Sequence, residues 1–178
     1  MLACVDLSRP FIIRDAVPAD LGAIMRLKLD LAISDDIVHT VRATPADWKR
    51  DAFGPYAHFT TFVGEWGSRV VGMAICGERH FPGWVGATVA LLDLCVEERY
   101  RRRGIGTALL VRVAEFSKAR NSVMIELTVR TGNPAARLYE RLGFADVANA
   151  RNLVIAGEAL ECLARSAARP AALARIAG

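Results

Sequence analysis

An apolar, strand-like run, Leu91-Leu92-Asp93-Leu94-Cys95-Val96, passes through the basic turn Glu97-Glu98-Arg99-Tyr100-Arg101-Arg102-Arg103 into Gly104-Ile105-Gly106-Thr107. A helix to about residue 120 follows, with Ile105, Leu109, Val113 and Phe116 on one stripe and Arg112, Glu115 and Lys118 largely off it. A strand feeding a helix through such a turn points several backbone N–H groups, and the positive end of the helix dipole, at one spot. The arginines add fixed positive charge there. The junction therefore predicts an α/β fold with a polyanion site, best matched by a pyrophosphate. A dinucleotide-binding fingerprint fails on spacing, because Leu109 occupies its third glycine slot, and no phosphate-loop motif of the Walker type is present.

The rest of the chain supplies a sheet for that junction. Residues 11–14 read as a first strand, and Pro18-Ala19-Asp20 opens a helix to about residue 33, with Leu21, Ile24, Met25 and Leu29 near helical spacing. Thr44-Pro45-Ala46-Asp47 reads as an N-cap, a first-turn proline and an acidic residue three after the cap, starting a short helix with Trp48 and Phe53. Residues 59–65 and 69–77 are strand-rich and joined at Trp66-Gly67-Ser68 as a hairpin, followed by an aromatic loop over 81–86. Strands are expected over 88–96 and 123–129, a helix over 134–142 stopping at Gly143, and last strands over 144–148 and 152–156. Leu160, Leu163 and Ala164 suggest a final amphipathic turn or two before a flexible tail.

With 178 residues, 53% hydrophobic and 24% charged, the chain suits one globular domain with a substantial core. We expect a domain over residues 1–165 and a tail over 166–178. No apolar run approaches the roughly 20 residues of a membrane span. Ser8, Arg9 and Pro10 interrupt any signal-peptide pattern, and Cys4, Cys76, Cys95 and Cys162 lack paired-cysteine spacing, so a cytoplasmic protein with reduced core thiols is expected. His39, His58 and His80 lack metal-ligand spacing, and no metal is predicted. A net charge of +4 is modest and does not argue for nucleic acid.

A second segment, Asn133-Pro134-Ala135-Ala136-Arg137-Leu138-Tyr139-Glu140-Arg141-Leu142-Gly143-Phe144, lies about thirty residues beyond the basic turn. Together, Arg101-x-x-Gly104-x-Gly106 and Asn133…Ala136…Tyr139…Gly143-Phe144 resemble the GNAT superfamily of acyl-CoA-dependent N-acetyltransferases over roughly residues 10–160. The resemblance implies a mixed, mostly antiparallel central sheet with helices on both faces and a splayed central strand pair, here 88–96 and 123–129. It implies acetyl-CoA as co-substrate, with Leu94, Cys95 and Val96 along the pantetheine arm. Arg101, Arg102, Arg103, Gly104, Ile105, Gly106 and Thr107 would surround the pyrophosphate, with Asn133 and Ala136 nearby. Arg102 stands where relatives often have glycine. Tyr139 matches the position that protonates or hydrogen-bonds the leaving thiolate.

Acetyl transfer to an amine also requires loss of the amine proton. An alkylamine with a pKa near 10.4 is roughly one part in two thousand neutral at pH 7. Asp93, a carboxylate inside an apolar strand, is the candidate acceptor for that proton, with Glu126 on the neighbouring strand behind it.

Further segments are similar to the diamine and polyamine acetyltransferase branch: Asp51-Ala52-Phe53-Gly54, Val70-Val71-Gly72-Met73-Ala74, Trp84-Val85-Gly86 and Leu91-Leu92-Asp93-Leu94-Cys95-Val96. That branch usually has Glu where Leu92 stands, and an acid before the loop tryptophan where this chain has Pro82-Gly83. Opposing carboxylates offset desolvation of each ammonium in a polycation pocket, and two are missing. A smaller or less charged primary amine, or an amino acid, is therefore expected, with Glu65, Glu78 and Trp84 lining its pocket. The branch implies a homodimer. Peptide or protein N-acetylation, and acyl-CoA binding without turnover, stay open as alternatives.

Overall fold

The computed structural model describes residues 11–80, 87–148 and 154–166. By compactness the chain divides into two units, Met1–Leu138 and Tyr139–Gly178. The first contains β1 (Phe11–Asp15), α1 (Leu21–Ser34), α2 (Pro45–Phe53), β2 (Thr60–Trp66), β3 (Arg69–Arg79), β4 (Thr88–Val96), α3 (Ile105–Ala119) and β5 (Met124–Leu127). The helix α4 (Ala136–Arg141) leads into the second unit, which also holds α5 (Gly157–Ser166).

The strands form one sheet in chain order, β1-β2-β3-β4-β5, antiparallel up to β4 and parallel between β4 and β5. Thr44 caps α2 as its sequence predicts: Asp47 N–H donates to Thr44 Oγ1 at 3.2 Å and Thr44 N–H donates to Asp47 Oδ2 at 2.9 Å. The β2–β3 hairpin turns at Gly67, whose φ of +63° suits glycine.

Strand alternation sends Val63, Met73, Ile75 and Cys95 to one face, where Ile24 and Leu27 of α1 and Trp48 of α2 complete a buried cluster. Phe62 serves the other face, its ring 5.6 Å from that of Phe116 in α3. Gly64 and Gly72 lie side by side in register on that second face. A Cβ at Gly64 would stand 2.8 Å from Ile105 Cγ2, and one at Gly72 would stand 3.3 Å from both Ile105 Cγ2 and Leu109 Cδ1. The first turn of α3 thus rests on a flat seat made by two missing side chains.

Several expectations need correcting. In α1 the buried residues are Ile24, Leu27 and Ala32, whereas Leu29 is exposed, because a helix of 3.6 residues per turn turns Leu29 off the stripe. Residues 144–148 form no strand; Ala145, Asp146 and Ala148 favour strands poorly, and Val147 is left exposed. Of the strand expected over 152–156, residues 154–156 are irregular and the remainder lies outside the described residues. The last helix is longer than a turn or two, spanning Gly157–Ser166. Cys162 is exposed there rather than in a core, because it lies on an exposed face of that helix, whereas Cys76 and Cys95 are buried thiols that burial pushes up to about 12 and about 11. Cys4, the aromatic loop and residues 167–178 lie outside the described residues. Among the described residues no helix is long and apolar enough to cross a membrane.

Candidate active site

The site is organised by β4. Its parallel pairing with β5 runs from Thr88↔Met124 to Leu91↔Leu127 and stops, while β4 continues along β3 to Val96↔Gly72. Among the described residues no strand pairs with the outer edge of β4 past Leu91, which is the splay expected between these strands. A register shift at the same place sets Ile75 opposite Asp93 and Cys76 opposite Leu91, so Leu92 is the extra residue of a bulge. Leu92 is 56% exposed, unusual for a leucine in a central strand.

The bulge fixes the direction of Asp93. Its side chain is directed at α1, where Lys28 Nζ donates to Asp93 Oδ1 at 2.7 Å and to Oδ2 at 2.8 Å. Both side chains are largely removed from water, at 14% exposure for Asp93 and 25% for Lys28. Burial raises the Asp93 carboxyl above its ordinary value, and Lys28 opposes that shift without cancelling it. Sequence reasoning missed Lys28, although a signal existed. It stands four residues after Ile24 and four before Ala32, both buried, so a lysine on that stripe had to meet a counter-ion.

Past Val96 the strand ends, but Glu97 N–H still donates to Val71 O of β3 at 2.8 Å. The Glu97 side chain, 9% exposed, accepts from Arg26, from Arg69 at 3.0 Å and from Arg99 at 3.2 Å. Burial works against its charge, but Arg69 and Arg26 outweigh it and hold the carboxyl below the usual glutamate range. Glu97 therefore anchors the start of the basic turn, a role its sequence context did not reveal. Arg101 turns back on the strand, its Nε donating to Val96 O at 3.0 Å. Arg103 lies over the Trp66 ring at 5.2 Å, and Trp66 packs against Tyr100 at 5.6 Å.

Arg102 has φ +59° and Gly104 φ +85°. These left-handed residues fold the turn tightly, and glycine would adopt either conformation without strain. The first helical bond is Ala108 N–H to Gly104 O at 2.9 Å, so Ile105, Gly106 and Thr107 present N–H groups that no carbonyl one turn back can accept. This backbone fits a phosphate group. A Cβ on Gly106 would make only ordinary contacts, 3.6 Å from Leu138 Cδ2 and 3.9 Å from Val96 Cγ2. An open cleft of about 880 Å³ borders the turn, lined by Cys95, Val96 and Arg101 together with Arg26, Asp30 and Ser34 of α1.

Glu65 and Glu78 lie away from Asp93. Glu65 lies toward the hairpin end of β2, accepting from Arg14 Nε at 2.8 Å beside Asp20, well along the sheet from Asp93. Glu78 faces α3, bonded to Arg120 Nε at 2.5 Å, on the opposite face of the sheet. Glu126 is ion-paired with Arg79. Asn133 caps the turn before α4, its Oδ1 accepting from Ala135 N–H at 2.9 Å, and its carbonyl accepts from Ala136 N–H at 3.1 Å. Tyr139 belongs to the second unit; it is half-buried, and its ring meets that of Phe144 edge-on at 5.7 Å. Trp84 lies outside the described residues.

Comparison with known proteins matches residues 34–144 to the family described as Acetyltransferase (GNAT) family. The chain is 32% identical over 164 residues to a thialysine N-epsilon-acetyltransferase of Mus musculus, covering 85% of this chain and 96% of that one. It is 30% identical over 114 residues to a spermidine/spermine N(1)-acetyltransferase-like protein 1 of Homo sapiens, covering 60% of this chain and 16% of that one. Among solved structures, an integron cassette protein from the mobile metagenome of V. cholerae shares the fold at a TM-score of 0.71 and 17% identity, covering 89% of this chain and 99% of that one.

Proposed function

Because the chain belongs to the GNAT acetyltransferase family and is an acyltransferase enzyme, we propose that it transfers the acetyl group of acetyl-CoA to the primary amine of a small molecule by direct attack on the thioester. One observation carries this reading. A single strand and the turn that leaves it gather an outer edge released by β5 at Leu91, the Asp93 carboxylate beside a bulge, and the left-handed arginine–glycine turn ahead of α3. The relatives named for thialysine and for spermidine/spermine support a small amine as acceptor.

Acetyl-CoA supplies the activated acetyl group. The edge groups of Leu94, Cys95 and Val96 bind the pantetheine arm, and the backbone N–H groups of Arg102 to Thr107 bind the pyrophosphate, with the arginine charges around them. Asp93 takes the proton of the incoming ammonium, directly or through water, and its raised pKa suits that task. Tyr139 hydrogen-bonds the departing sulfur. Its likeness to the diamine and polyamine acetyltransferase branch supports a homodimer, and its widely spaced cysteines support a cytoplasmic protein, with the acetyltransferase domain over residues 1–165.

The test is thiol release from acetyl-CoA with spermidine, putrescine, a lysine analogue, free amino acids and a peptide, against an enzyme-free control. Turnover with small amines above the control supports the reading. Turnover with the peptide alone selects peptide acetylation. Saturable acetyl-CoA binding with no turnover selects a non-catalytic acyl-CoA-binding module.

A further inference from the structure

An ammonium already sits where a cationic acceptor would be read. Lys28 Nζ spans both oxygens of Asp93, at 2.7 and 2.8 Å, linking α1 to β4. The neighbouring position is the exposed Leu92 of the bulge, so it offers no carboxylate to replace the one Lys28 occupies. A diamine brings one amine to be acetylated and a second, protonated amine that needs a counter-ion. To use Asp93, that second ammonium must displace Lys28 and lie beside its displaced charge. Like charges held close in a poorly solvated site repel strongly. A monoamine brings only the amine that reacts: its charge leaves with the proton passed to Asp93 through water, and no second ammonium stays beside Lys28.

We propose that Lys28 fills the cation subsite of Asp93 and makes this enzyme select monoamines, or amines whose far end is neutral or anionic, over diamines and polyamines. The inference deepens the acetyltransfer reading above and rests on it for the placement of the acceptor. Lys28 is a specificity-determining residue here: it acts through the carboxylate it neutralises.

The experiment compares butylamine with putrescine, amines of one chain length that differ by the second ammonium. Both are titrated calorimetrically into the full chain with CoA present, and both are assayed for thiol release from acetyl-CoA. The parent is expected to bind butylamine at least as tightly as putrescine. Lys28→Met, with Lys28→Gln as a second variant should the first fold poorly, is expected to shift the preference toward putrescine by roughly tenfold or more, as for one buried charge contact. Adding Asp93→Asn to either variant is expected to abolish the shift. An unchanged preference in both variants, a shift that survives Asp93→Asn, or no detectable binding of either amine to any form overturns the proposal. A switched preference in binding without thiol release from any form upholds the role of Lys28 and overturns acetyl transfer to these amines. Thiol release with an unswitched preference does the reverse.

Discussion

Arg101 Nε donates to the carbonyl oxygen of Val96 at 3.0 Å, so the first arginine of the basic turn is tied to the strand that leads into it. Its charge is thereby held at the mouth of the cleft beside Cys95 and Val96. Replacing Arg101 with Ala removes both the tie and the charge, and the KM for acetyl-CoA should rise about tenfold, as for loss of a charged hydrogen bond. Arg101→Lys keeps the charge with a different donor geometry and should fall between the two. Initial-rate measurements against acetyl-CoA check both; equal KM values in all three proteins would remove Arg101 from cofactor binding.

Positions 102 and 104 should respond in opposite directions. Gly104→Ala forces a side chain into φ +85° and should cost about 1–2 kcal/mol of stability. Arg102→Gly relieves a left-handed residue at φ +59° and should stabilise the fold by about 1 kcal/mol, while the lost charge weakens acetyl-CoA binding. Urea unfolding together with calorimetric acetyl-CoA titration separates the effects. An Arg102→Gly protein less stable than the parent would contradict the strain argument.

Asp20 gives a pH signature away from the site. Arg14 donates to it at 2.6 and 2.8 Å, and this hydrogen bonding, working against burial, lowers the Asp20 carboxyl below its ordinary value. A carboxyl with a lowered folded-state pKa stabilises the fold fully above its unfolded pKa of about 4 and loses that contribution as pH falls through the folded value. The Tm gap between the parent and Asp20→Asn should therefore be widest near neutrality and narrow steadily below about pH 4. A gap constant across that range would mean the pair contributes through packing alone.

Tyr139→Phe should lower kcat about a hundredfold, the scale of a lost general acid, with little change in acetyl-CoA affinity. Equal turnover in the two proteins would leave the thiolate to another donor.

Gly64→Ala should destabilise the fold by about 1–3 kcal/mol, because its Cβ would stand 2.8 Å from Ile105 Cγ2. The same change should raise the KM for acetyl-CoA by lifting the first turn of α3. Urea denaturation and initial rates check the two effects; an unaltered KM would show that the turn does not depend on its seat.

The framework was legible because its signals are local. Runs rich in strand-forming apolar residues marked β2, β3 and β4, the stripe Ile105-Leu109-Val113-Phe116 marked α3, and the capping pattern at Thr44 marked α2. What depends on register was not. Glu65 and Glu78 look alike as strand carboxylates, yet pairing sends one to Arg14 near the hairpin and the other to Arg120 on the opposite face. Asp93 was found as a lone acid in an apolar run, but its partner Lys28 comes from a helix 65 positions away. Glu97 read as part of a charged turn, and only the approach of Arg26 and Arg69 makes it an anchor. The strand expected over 144–148 failed because Phe144 and Val147 do not outweigh Ala145, Asp146 and Ala148, which favour strands poorly.

The glycine seat under α3 has a bearing on engineering. The turn that would grip the pyrophosphate is set at a height chosen by Gly64 and Gly72, in two other strands. A loop transplanted from a relative with bulkier residues in those strands would land at the wrong level, however well its own sequence matched. Loop and seat form one heritable unit, and exchanging cofactor preference between such enzymes means moving both.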